Sequence, residues 1–356
     1  MRVLKFISLI VFLVFPAKAY LQENVLFKDF DDDIRGKYGL RIMFYNLENF
    51  FDVHNDSITQ DDDYTAFGMK HWGKEKYNAK LNNIYKVIAS VGGWEPPEII
   101  GVCEVENKWV VSELVSGTPL RKFNYKYIHY DSPDPRGIDV ALLYRPDKFT
   151  PVFHQPLRIV FPFDTTARTR DILYVKALTT TKDTLHIFVN HFPSKFGGAM
   201  LTIPKRNYVA SFLRSKIDSL LYVNPNANII VMGDFNDEPL DECMTKYLKA
   251  KCDSSDLHSG DLFNLMCKLK TTEKIGSNKY REQWSLIDQM IVSNALIKNI
   301  KKWQVKNSRA FIFKPEYLLQ NDEIYMGVKP FRTYNGSRYT GGYSDHLPVY
   351  MDLIYE

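Results

Sequence analysis

The chain has 356 residues, 45% hydrophobic and 25% charged, which excludes a low-complexity or disordered polymer and suffices for one large core. Lys and Arg total 46 against 42 Asp and Glu, a formal net charge of +4. Residues 1–19 hold three basic residues and no acidic one, so the remainder carries about +1, which excludes a uniformly basic nucleic-acid-coating surface.

The first segment reads as a cleaved secretory signal. Arg2 and Lys5 precede an apolar stretch from Phe6 to Phe15, and Ala17-Lys18-Ala19 supplies a small-x-small cleavage pattern. The stretch is shorter than the ~20 residues that span a bilayer. No later stretch is apolar enough to span one. The expected product is exported, to the periplasm or beyond the cell, with a lead-in at 20–39 and one domain at 40–356. No protein partner is indicated.

Apolar runs predict strands at Leu40–Asn46, Glu98–Cys103, Tyr125–Tyr130, Val140–Arg145, Ile172–Leu178, Leu185–His191, Asn228–Gly233, Leu286–Val292 and Leu347–Ile354. Helical spacing predicts Tyr77–Val91, with Leu81, Ile84, Ile88 and Val91 on one face. It also predicts Lys205–Leu221, with Pro204 in its first turn. Some strands follow helices and others follow turns such as 131–137. This mixture predicts an α/β fold of two mixed β-sheets face to face, flanked by helices. Of the four cysteines, Cys103 falls on a core strand. An exported protein allows a disulfide among Cys243, Cys252 and Cys267, with no pairing fixed by sequence and no spacing that suggests zinc. The acidic runs Asp29–Asp33 and Asp61–Asp63 lack the spaced ligands of a calcium loop.

Polar residues punctuate the ends of these strands. They are Asn46-Leu47-Glu48-Asn49, Glu104, Asn190-His191, Gly233-Asp234-Phe235-Asn236, Asp288 and Ser344-Asp345-His346. In this order they resemble the endonuclease/exonuclease/phosphatase superfamily, which includes pancreatic-type deoxyribonucleases, apurinic endonucleases, neutral sphingomyelinases and inositol-polyphosphate 5-phosphatases. The resemblance runs from Leu40 to the C-terminus. It implies a four-layer α/β/β/α sandwich and a metal-dependent phosphoric ester hydrolase.

The chemistry fits these residue types. A phosphate ester repels anionic nucleophiles, so its hydrolysis needs charge neutralisation and a positioned water. Glu104 is a hard oxygen ligand suited to Mg²⁺, with Mn²⁺ a substitute. The resemblance places Asn46, Glu48 and Asp345 with it at the metal. It implies that Asp234 handles a proton and that the Asn236 amide reaches the phosphate. His346 would be general base or cationic stabiliser, with Asp288 on its other nitrogen. His191 is a second catalytic candidate, but the acid expected to support it does not align, Asp139 being one position away. Asn190, Arg170 and Lys195 are expected on the substrate side.

Residues Tyr325–Tyr343 add Lys329, Arg332 and Arg338 among five aromatics with no acid, a pattern that can grip a phosphodiester and stack bases. An exported Mg²⁺-dependent nuclease or related phosphodiesterase is the leading expectation. The alternatives are a phosphatase or phospholipase C-type enzyme acting on lipid, inositol or sugar phosphates, and a noncatalytic binding protein on the same fold.

Overall fold

An apolar run becomes a strand where neighbours bury both of its faces, and the central strands here are such runs. The computed structural model describes residues 39–195, 197–273 and 275–356. The signal segment 1–19, the lead-in up to residue 38 and the run Asp29–Asp33 lie outside the described residues. Numbering only the strands of the two large sheets gives β1 (Leu40–Phe50), β2 (Ile99–Val105), β3 (Lys126–His129), β4 (Asp139–Tyr144), β5 (Phe149–Leu157), β6 (Ile172–Thr179) and β7 (Thr184–His191). The series continues with β8 (Asn228–Asp234), β9 (Ala250–Lys251), β10 (Leu262–Asn264), β11 (Asp288–Ser293), β12 (Trp303–Ile312) and β13 (Val349–Tyr355).

One sheet runs β12-β13-β1-β2-β4-β3 and the other β5-β6-β7-β8-β11-β10-β9. The pairs β1–β2, β7–β8 and β9–β10 are parallel and the rest antiparallel, so both sheets are mixed. Their inner faces share one core, in which Ile42, Phe44 and Leu142 meet Ile187, Ile230 and Met290. At Gly101 a Cβ would come within 2.8 Å of the Met232 Cε, so glycine lets the two sheets close there.

The outer layers are two long helices, α1 (Lys74–Gly92) and α2 (Ala199–Val223). Tyr77, Leu81, Ile84, Ile88 and Val91 form the buried stripe of α1, as the 3.6-residue period requires. Helix α2 buries Val209, Ala210, Leu213 and Ile217 over the second sheet. It starts earlier than the sequence predicts, so Pro204 lies inside the helix rather than in its first turn. Among the described residues no helix is long and apolar enough to cross a membrane.

All nine sequence-predicted strands are present. The sequence reading missed β5, β9, β10 and β12, of which β5, β9 and β12 are sheet edges. Strand β5 is largely exposed and carries Pro151 and Pro156, which only an edge tolerates. Strand β12 shifts register between Val305 and Ala310, which breaks its alternation. Cys252 and Cys267 form a disulfide, while Cys103 and Cys243 are free and buried.

Candidate active site

The topology brings the strand-end polar residues to one edge of the sandwich. Strands β7 and β8 are parallel and in register, so His191 sits beside Asp234. Strand β11 enters antiparallel on the other side of β8 and places Asp288 opposite Asp234. His191, Asp234 and Asp288 thus form one row across three strands. Gly233 permits this register, because a Cβ there would lie 2.4 Å from the Asn190 carbonyl oxygen.

In the facing sheet, bulges aim the carboxylates. Strand β1 shifts register between Asn46 and Phe50, and β2 between Cys103 and Val105. Glu48 (φ 51°) and Glu104 (φ 59°) lie at these irregularities in the left-handed region, as does Asn236 (φ 51°) on the turn after β8. Non-glycine residues hold such backbone only when the surroundings impose it, and functional sites are where such strain collects.

One atom is the hub. Asp234 Oδ2 accepts from Asn46 Nδ2 at 3.1 Å and lies 3.7 Å from His191 Nε2 and 3.8 Å from His346 Nε2. Asp234 Oδ1 accepts from the Asn236 backbone N–H at 2.9 Å, which closes the turn. Burial, with Asp288 and Glu104 adding negative field, raises the Asp234 carboxyl to about 7 against the pull of His346.

The two histidines differ. His346 Nδ1 is 2.7 Å from Asp288 Oδ2, which also accepts from Ser277 Oγ at 2.6 Å. Burial disfavours the charged ring, but Asp288, Asp234 and Asp345 outweigh it and raise its pKa well above the ordinary histidine value. His191 is buried, and its Nδ1 has no hydrogen-bond partner among the described residues. Burial first, then Arg170, Arg136 and His346, push its pKa well down. Asp139 does not support it, because its carboxylate is taken by His129 Nε2 at 3.1 Å and the Ser132 N–H at 2.8 Å.

Asp345 and Glu48 meet through a residue absent from the sequence-derived site. The Arg332 guanidinium donates to Asp345 Oδ2 at 3.0 Å and to Glu48 Oε1 at 3.2 Å. The other Glu48 oxygen accepts from the Thr333 N–H at 2.6 Å and lies 3.8 Å from Lys80 Nζ. Lys80 is fully buried and donates to Thr333 Oγ1 and the Tyr343 carbonyl, both at 2.6 Å. Burial lowers its pKa despite Glu48 and Asp345. A lysine on the α1 stripe, three residues after Tyr77, is the signal that could have revealed it. Burial opposes the charge of Asp345, but Arg332, His346 and Lys80 hold its carboxyl below the usual range.

The remaining candidates lie off this cluster. Asn190 donates to the Phe188 and Met232 carbonyls and is fully buried. Arg170 is buried and paired with Asp134 at 2.9 Å, and it also donates to the Phe192 carbonyl. It backs His191 instead of facing the opening. The Asn236 side chain donates to that same carbonyl at 3.0 Å. Lys195 is half-exposed and pairs with Asp237 at 3.2 Å, and Asp237 is anchored in turn by the buried Arg206 on α2 at 2.7 Å.

The oxygen donors suit a hard divalent cation. Glu104 Oε2 accepts from the Asn49 N–H, while Oε1, among the described residues, has His191 at 3.8 Å. Asp345 Oδ1 lies 4.0 Å from His346 Nε2. Glu104 and Asp345 therefore each keep an oxygen for a cation. Both Glu48 oxygens already accept hydrogen bonds, from Arg332 and from the Thr333 N–H. Asp234, Asp288 and His346 also offer ligand atoms within 4.8 Å of one another, all buried.

Known proteins share this fold. The family model described as "Endonuclease/Exonuclease/phosphatase family" matches residues 41–354. No curated protein sequence matches the chain. A solved endonuclease/exonuclease/phosphatase family protein from Bacteroides thetaiotaomicron is 18% identical, with a TM-score of 0.53, 89% of this chain covered and 98% of that one. A mannosyl-6-phosphatase of the same organism is 19% identical, with a TM-score of 0.54 over 89% of this chain and 100% of that one. Danio rerio TDP2, solved with a single-strand DNA product, is 14% identical, with a TM-score of 0.52 over 88% of this chain and 98% of that one. At these identities the solved structures show the fold. The match over nearly the whole described domain shows that the chain belongs to the endonuclease/exonuclease/phosphatase family of phosphoester hydrolases.

Proposed function

We propose that this protein, once exported, hydrolyses a phosphate ester with the help of a divalent cation. The observation that carries the reading is Asp234 Oδ2, which faces Asn46 and both histidines at 3.1–3.8 Å. With a pKa of about 7, Asp234 is poised to take a proton from the attacking water. His346, kept cationic by Asp288, is placed to stabilise charge gathering on the phosphoryl oxygens. His191, neutral, donates or accepts one hydrogen bond at the same centre. Asn46 orients Asp234. Glu104 and Asp345 are the residues to hold Mg²⁺, or Mn²⁺ in its place. Such an ion supplies charge neutralisation at the phosphoryl group and a more acidic bound water. Glu48 becomes an anchor for Arg332.

The basic segment argues for a small ester over a nucleic acid. Lys329 pairs with Asp322, which also holds Lys279, and Arg332 is committed to Glu48 and Asp345. Of the three cations, Arg338 is left exposed. A phosphatase acting on a sugar, inositol or lipid phosphate is the leading reading, in keeping with the similarity to a mannosyl-6-phosphatase. A nuclease remains the second reading, favoured by the similarity to a protein solved with a DNA product.

The test is hydrolysis of hexose and inositol phosphates, sphingomyelin, a chromogenic phosphodiester, single-stranded DNA and RNA, with chelator and with Mg²⁺ restored. A phosphomonoester turned over fastest, with loss on chelation, is the expected result. Oligonucleotide preference moves the reading to the nuclease. No hydrolysis, or hydrolysis indifferent to chelator, overturns it. Export is tested by cell fractionation of the full chain against one lacking residues 1–19, which should stay in the cytoplasm.

A further inference from the structure

A groove of about 620 Å³ opens beside the catalytic cluster, and the proposed chemistry leaves it without a role. Its walls are continuations of the catalytic loops. Lys195 follows His191 by four residues, while Glu238 and Asp241 follow Asp234. Trp284 and Ser285 belong to a small hairpin, 278–285, that leads into Asp288. Ser285 pairs across that hairpin with Asn278, which bridges to His346 and donates to the Asp345 carbonyl at 2.9 Å. The hairpin thus ties one wall of the groove to the segment that carries Asp345 and His346.

The lining is polar and already neutralised. Lys195 pairs with Asp237 and Asp241 at 3.2 and 4.0 Å, and Lys270 pairs with Glu238 at 2.5 Å. Glu282 adds an exposed carboxylate, so acids outnumber bases among the lining residues. A polyanion would meet repulsion and no uncommitted lining cation. Trp284 supplies the one aromatic surface. Lys314, which does not line the groove, covers one face of the ring at 4.6 Å and backs it, so the indole lines the groove from another side.

Carboxylates that accept from hydroxyls, beside a flat ring that takes C–H groups, suit a neutral polyhydroxylated ring. We propose that the groove holds the uncharged body of the substrate, a sugar or cyclitol bearing the phosphate. This rests on the phosphoesterase reading and names its substrate class.

The test compares a hexose 6-phosphate with ethyl phosphate, which carries the ester and almost no body, in wild type, Trp284→Ala and Glu282→Gln. Thermal melts confirm folding, and Glu282→Gln, on an exposed position, keeps the test informative should the tryptophan variant unfold. Trp284→Ala is expected to raise KM for the hexose phosphate about tenfold, and Glu282→Gln about threefold, with ethyl phosphate unchanged. Unphosphorylated hexose should also perturb tryptophan fluorescence in metal-free wild type and not in Trp284→Phe. Equal effects on both esters, no effect on either, or an oligonucleotide that depends on Trp284 would overturn the proposal. A fluorescence response without hydrolysis of any ester would uphold the groove and overturn the phosphoesterase reading.

Discussion

His346 and His191 sit within 4 Å of the same Asp234 oxygen, both buried, His191 at the end of β7 and His346 in the segment before β13, yet their environments shift them in opposite directions. His346 has Asp288 on Nδ1, with Ser277 fixing that carboxylate. His191 has no hydrogen-bond partner on Nδ1 among the described residues, and Arg170 lies behind it. Burial lowers the pKa of either ring, and it prevails at His191, where no carboxylate is hydrogen-bonded to Nδ1. The lesson is that the partner on the far nitrogen, rather than position in the sheet, sets which ring favours its proton and which loses it.

The largest effect should come from breaking the support of the neutral side. Arg170→Met takes the guanidinium from the buried Asp134 Oδ2, leaving Arg136 on Oδ1, and should cost about 3 kcal/mol of folding stability, read by urea denaturation. On the charged side, His346→Ala should lower kcat by roughly 10²- to 10³-fold with the melting temperature little changed. Asp288→Asn keeps the shape but removes the charge that holds His346 protonated. It should lower kcat roughly 10- to 100-fold and shift the alkaline limb of the rate profile to lower pH.

The pH dependence sharpens the contrast. Because burial raises Asp234 to about 7, the rate should rise with pH through 7 and level off above it. The folded protein keeps a proton there that the unfolded chain releases in the ordinary carboxylate range. This group's share of stability is therefore full at pH below that range and declines as pH climbs through 7. Asp234→Asn should abolish the rise. The smallest effect is expected at His191. Loss of one neutral hydrogen bond in His191→Gln is worth about 0.5–1.5 kcal/mol, a roughly 2- to 10-fold change in rate.

The central strands and the polar row at their ends were legible because they couple a continuous apolar run to a polar terminus, as in Ile229–Gly233 followed by Asp234. Edge strands β5 and β12 were not, since half of an edge faces solvent and its pattern is broken by prolines or a bulge. Lys80 was hidden because a lysine in a helix reads as solvent-facing, whereas here its ammonium finds Thr333 and Tyr343 across 253 and 263 residues of sequence. Arg332 stood out as a cation, but only the fold shows that Glu48 and Asp345 are its partners. Arg170 was read as a phosphate ligand because its type suits that task, and its commitment to Asp134 is a tertiary fact.

The most direct measurement is the protonation state of the two rings at pH 7, from nitrogen chemical shifts of the histidine-labelled protein, assigned with His346→Gln and His191→Gln. The expected spectrum has His346 doubly protonated and His191 neutral, with Asp288→Asn collapsing the difference. A neutral His346, or a cationic His191, would contradict the division of roles around Asp234.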